Sequence, residues 1–93
     1  MGVSPYGGME FGPGWTNRWI RGHGERLREL RRERQISRKH LADEARVNVS
    51  QINRVEAGRD ARLSTFLKIY EGLGYGVEFE LREEGLLMGK RWR

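Results

Sequence analysis

The sequence contains no cysteine, so neither a disulfide framework nor a thiolate zinc site can reinforce a thin core, and packing must do that alone. Its two histidines, His23 and His40, have no carboxylate cluster at ligand spacing beside them, which argues against a metal site. Proline is confined to Pro5 and Pro13. Long hydrophobic runs are missing too: no stretch approaches a membrane span, and the N-terminus lacks the basic-then-apolar order of a signal peptide. The expectation is a soluble, cytoplasmic protein. No nucleophile motif stands out, and Gly7-Gly8 and Gly12-Pro13-Gly14 do not join a strand to a helix as a phosphate-cradling loop must. These absences leave no enzyme activity, cofactor or metal to expect.

A chain of 93 residues has room for one domain, and a domain of that size is often helped by oligomerisation. Lys and Arg number 18 against 13 Asp and Glu, a formal net charge of +5, which suits a polyanionic partner. The charges are interleaved, however, as in Glu25-Arg26, Arg28-Glu29 and Arg32-Glu33. That pattern equally describes a solvated, ion-paired helix face, so charge alone does not choose.

Residues 1–14 are rich in glycine and poor in aliphatic residues, and they read as a mobile arm. Thr16 or Asn17 can cap a short helix whose apolar side carries Trp19 and Ile20, with Trp15 and these two packing rather than touching a ligand. Helix one spans Gly24 to Arg34, built of strong helix formers with Leu27 and Leu30 on one face. Ser37 caps helix two, whose inward face is Leu41, Ala42 and Ala45. After a break at Arg46 to Asn48, a third helix turns Ile52 and Val55 inward. Asn48 and Gln51 have the spacing of a capping box, and Gly58 supplies the stop. A fourth helix starts near Ser64, buries Phe66, Leu67, Ile69, Tyr70 and Leu73, and ends at Gly74. The period then changes to two, with Tyr75, Val77, Phe79 and Leu81 alternating with Gly76, Glu78 and Glu80, as in a half-buried strand. A lone strand leaves its ladder groups unpaired, and pairing with the same strand of a second copy resolves this in a two-fold dimer. The domain thus runs over residues 15–82, and residues 83–93 form a basic tail ending in Lys90-Arg91-Trp92-Arg93.

Two short helices meeting across a tight turn need a small residue at their contact, apolar residues behind it and a polar outer face on the second helix. Residues 37–58 supply all three: Ala42 at the contact, Ala45, Val47, Ile52 and Val55 inward, and Val49, Ser50, Gln51, Asn53 and Arg54 outward. From Gly24 to Gly74 the sequence resembles the Xre/Cro-type helix-turn-helix family. The resemblance is carried in order by Gly24-Glu25-Arg26-Leu27-Arg28-Glu29-Leu30-Arg31, Ile36-Ser37, Leu41-Ala42, Val49-Ser50-Gln51, Ile52, Val55-Glu56-Ala57-Gly58 and Leu63-Ser64-Thr65-Phe66-Leu67-Lys68-Ile69. It implies a mainly α, lambda-repressor-like domain of four to five helices, followed here by one C-terminal strand. With that strand the chain also looks like antitoxins of the HipB kind, in which such strands pair between subunits.

The resemblance makes Val49 to Glu56 the recognition helix, its first turn entering the major groove of double-stranded DNA. Ser50 and Gln51 then face base edges and Val49 a thymine methyl, while Arg54 either forks onto guanine or contacts phosphate. Asn53 is a phosphate contact, and Arg38 takes the place of a glutamine that holds the DNA backbone. Ser37, Asn48 and Arg59 complete the expected DNA-binding set, and Tyr75, Val77, Phe79 and Leu81 the dimerisation set. Two departures stand out: the family commonly has glycine where this chain has Arg46, and a glutamate where it has His40, which reads as a surface residue. The leading expectation is a homodimeric repressor of an inverted-repeat operator. Its rival is an antitoxin whose main task is to occupy a toxin protein, with the tryptophan-bearing ends as partner surface.

Overall fold

A computed structural model describes residues 14–81. Four helices follow one another: α1 (Trp15–Glu33), α2 (Arg38–Ala45), α3 (Val49–Glu56) and α4 (Leu63–Gly72). All but Gly14 of the expected arm at residues 1–14, and the basic tail at residues 83–93, lie outside the described residues.

The first departure from expectation is α1, a single helix of 19 residues where a short helix and a separate helix one were expected. Gly14, at φ 83°, precedes it without a side-chain cap, so Thr16 and Asn17 lie inside the first turn and do not cap it. Glycines at 22 and 24 suggest a break because glycine is costly in a helix interior. The packing explains Gly24. A Cβ built there would stand 2.2 Å from the Val55 carbonyl oxygen, so α1 and α3 meet backbone to backbone and only glycine fits.

All four helices stop in one way. After α1, Gln35 N–H donates to the Arg32 carbonyl (2.9 Å) and Ile36 N–H to that of Arg31 (3.4 Å), the paired bonds of a Schellman ending. The same pair recurs at Arg46 and Val47, at Gly58 and Arg59, and at Gly74 and Tyr75. Each ending needs one residue at positive φ. Glycine supplies it at Gly58 (81°) and Gly74 (93°), but Gln35 (56°) and Arg46 (59°) adopt it with a side chain. The turn between α2 and α3 therefore keeps its left-handed residue although glycine is absent. Behind two of these turns, Ile36 and Val47 pack against the core and help hold them.

The core is drawn from all four helices: Leu27, Leu41, Ile52, Val55, Phe66, Ile69 and Leu73 are each at most 1% exposed. Burial of each such side chain is worth roughly 1.5–3 kcal/mol. Ala42 is buried as expected, and Ala45 lies close against α4, 3.0 Å from a Cβ built at Gly72. Of the expected α4 residues, Leu67 is only half-buried. Trp19 packs edge-on to Phe66 with ring centroids 5.2 Å apart, whereas Trp15 is 46% exposed. His23 lies beside them, its Nδ1 2.6 Å from the Tyr70 hydroxyl. Burial, and then the charge of Arg26, hold its imidazole below the ordinary histidine value.

Among the described residues no strand forms. Residues 75–81 leave α4 without a ladder partner, and the expected C-terminal strand is not found within one chain. No described helix is long and apolar enough to cross a membrane.

Candidate nucleic-acid interface

The outer face of α3 and the start of α2 are positioned by one buried carboxylate. Glu56, the last residue of α3, has a side chain only 2% exposed. Arg31 of α1 grips it with two bonds, Nε to Oε2 at 2.6 Å and Nη2 to Oε1 at 3.0 Å. The third branch of the same guanidinium donates to the Ile36 carbonyl at 2.9 Å, in the loop before α2. Arg38, the first residue of α2, donates from Nε to Glu56 Oε1 at 2.9 Å. Burial by itself would raise the Glu56 carboxyl, but hydrogen bonds from Arg31 and Arg38, and then their charges, hold it below its ordinary value. One carboxylate thus ties α1, the approach to α2 and the end of α3 together. Charge-assisted, two-pronged bonds of this kind fix orientation as well as distance.

Around that anchor the expected residues distribute as follows. Val49, Ser50, Asn53 and Arg54 are exposed on α3, Gln51 is half-buried, and Ile52 and Val55 are buried on the opposite face. The helix therefore presents a polar stripe outward while its apolar stripe is fixed in the core. Ser37 caps α2, its hydroxyl oxygen accepting the His40 N–H at 3.0 Å. Asn48 stands at the N-cap of α3 but its side chain makes no capping bond, so the expected capping box with Gln51 is not formed. Arg59 is exposed just past Gly58. His40 is on the surface with Nε2 3.8 Å from Glu44.

Three features lay beyond the sequence reading. The Nε of Arg54 donates to the main-chain carbonyl of Asp60, so the loop after α3 holds the guanidinium that the sequence offers for base or phosphate contact. Arg62 joins Gln51 and Arg54 around one depression between α3 and the start of α4. Its position immediately before a helix was the available signal. Arg31 was hidden among alternating charges, and its bond to Glu56 spans 25 residues. Among the described residues no group of three or more potential ligands is placed to hold a metal ion.

A four-helix body with a tight left-handed turn between α2 and α3, and a polar outer face on α3, defines a helix-turn-helix DNA-binding protein. The chain belongs to the helix-turn-helix domain family, of the kind found in Xre/Cro-like regulators, with residues 24–84 matching it. Neither the curated proteins nor the solved structures compared with the chain gave a match.

Proposed function

We propose that the chain is a sequence-specific, homodimeric repressor that lays α3 into the major groove at each half of an inverted repeat. The observation that carries this reading is the division of α3 into a buried face at Ile52 and Val55 and an exposed face at Val49, Ser50, Asn53 and Arg54. Val49, Ser50, Gln51 and Arg54 are the base-reading set; Ser37, Arg38, Asn48, Asn53 and Arg59 face the phosphates. Arg38 has its Nε on Glu56, which leaves its two terminal nitrogens as the phosphate donors. Half-sites lie about 10 bp apart, or a multiple of that, if two copies pair through residues 75–81. The exposure of Tyr75, Val77, Phe79 and Leu81 supports that pairing.

Selection of bound sequences from a random DNA pool tests symmetry and spacing together. On the selected site, Arg54→Ala loses about 1–3 kcal/mol of discrimination at one base position. Arg38→Ala weakens all sequences alike and lowers the salt slope by about one. Retained affinity and sequence preference in a folded Arg54→Ala variant would remove Arg54 from the reading set. A second reading, an antitoxin of the HipB kind that occupies a toxin protein, draws support from the exposed Trp15 at the start of α1. Co-purification of a small kinase-like or nuclease-like partner is the observation that would favour it.

A further inference from the structure

We infer that the hollow between the start of α1 and the start of α4 binds a lipophilic cation. Its volume is about 680 Å³, within the roughly 300–1,000 Å³ typical of small-molecule sites. Among the described residues four aromatic ones line it: Trp15 and Trp19 from α1, Phe66 from α4 and Phe79 from the segment that follows. Among the described residues, Asp60 and Glu80 are its only charged lining residues, in a chain whose net charge is +5. Neither carboxylate takes part in an ion pair among the described residues.

This lining has one chemical preference. Aromatic faces attract cations through their quadrupoles, most strongly when the cation is poorly hydrated. Two carboxylates add Coulomb attraction for the same charge and repel an anion of equal size. Burial against tryptophan and phenylalanine rewards apolar bulk. A small hydrated cation gains little from the rings, and a neutral apolar molecule nothing from the carboxylates. The fitting ligand is therefore bulky, apolar and positive.

The hollow also adjoins the DNA-facing side. Asp60 is one of the lining residues, and its main-chain carbonyl accepts the bond from Arg54. A cation drawn to the Asp60 carboxylate acts on the loop that holds the Arg54 guanidinium, so occupancy changes operator affinity. This second step rests on the reading of Arg54 as a DNA contact; ligand binding itself does not.

The test uses the full chain carrying Trp92→Phe, so that emission comes from Trp15 and Trp19. Tetraphenylphosphonium is the probe, and tetraphenylborate is its control of matching shape and opposite charge. Saturable quenching is expected with the phosphonium ion and not with the borate. Asp60→Asn combined with Glu80→Gln weakens phosphonium binding about tenfold or more, a loss of about 1.4 kcal/mol. Both residues are exposed, and an unchanged thermal melt verifies the fold of the double variant. Absence of saturable phosphonium binding, equal binding of the two ions, or indifference to the double substitution would each overturn the site. If a second copy of the chain fills the hollow instead, the phosphonium ion does not bind, and Trp15→Ala with Leu63→Ser lowers the mass seen by light scattering. For the coupling, saturating phosphonium changes affinity for the selected operator in the parent chain and not in the double variant. An unchanged operator affinity removes the coupling while the site stands. Failure of the pool to yield any operator would count against the regulator reading alone.

Discussion

The helix-turn-helix body and the segment that follows it, residues 75–81, carry apolar patterns of similar clarity and meet opposite fates. In the body, Leu27, Leu41, Ile52 and Val55 are at most 1% exposed, whereas in the segment Tyr75, Val77, Phe79 and Leu81 are 40%, 41%, 58% and 96% exposed. The helices find complementary faces within the same chain; among the described residues the segment does so only at Tyr75, which stands edge-on to Tyr70 at 6.4 Å and under the Arg34 guanidinium at 5.5 Å. A periodic pattern thus identifies which side of an element seeks cover, while the cover itself must come from another surface. The body closes on itself, whereas Val77, Phe79 and Leu81 of the segment stay exposed.

The strongest way to break the body is to remove the carboxylate at its centre. Glu56→Ala leaves the Arg31 guanidinium, 11% exposed, without its counter-charge, and the expected loss is about 3 kcal/mol in urea unfolding. A loss under about 1 kcal/mol would show that packing alone positions α3. Acid probes the same anchor. The Glu56 carboxyl is held below its ordinary value of 4.5, so its contribution is complete above that pH and is lost as pH falls through the lower folded value. His23 is held below 6.5; the unfolded chain binds its proton first, so stability declines as pH drops below that value towards the folded one. A melt series from about pH 7 downward should therefore show an early decline, absent in His23→Gln, and a later one, absent in Glu56→Gln. A flat early region would contradict the burial of His23.

Smaller effects sharpen the contrast. Arg46→Gly relieves a side chain held at φ 59° and should raise stability by about 1 kcal/mol, partly offset by the greater freedom of glycine in the unfolded chain. A lower melting temperature would mean that the arginine rests in the turn without strain. Last, glutamates in place of Val77 and Phe79 should change body stability by less than about 0.5 kcal/mol at high dilution. The same pair should give a monomer by light scattering at higher concentration. An unchanged dimer would move the interface to the tryptophan-bearing start of α1 or to α4.

Much of the body was legible because local rules and long-range packing agree there. Ser37 is the expected cap, Gly58 and Gly74 are the expected stops, and the inward residues of α2 and α3 are those that periodicity selects. Where the two scales disagree, the reading failed. Gly24 signals a break by propensity, yet a backbone contact 31 positions away, at Val55, requires it inside a helix. Asn48 and Gln51 have capping-box spacing, but spacing does not choose a rotamer, and no side-chain cap forms. Arg31 and Glu56 each look like ordinary surface charges until the fold places them 2.6 Å apart. The exposure of Val49, Ser50, Asn53 and Arg54 on α3 was therefore readable from the sequence, whereas the buried frame behind them was not.

The bare contact at Gly24 bears on how such a domain can diversify. Because α3 meets the backbone of α1 at Gly24 with no side chain between them, no larger residue can be placed at that point. The seating of α3 on α1 is fixed there by backbone alone, and side-chain changes are accommodated on its outer face. Val49, Ser50 and Asn53 on that face can change without touching this contact, whereas Arg54 is tied to the loop after α3 through the Asp60 carbonyl.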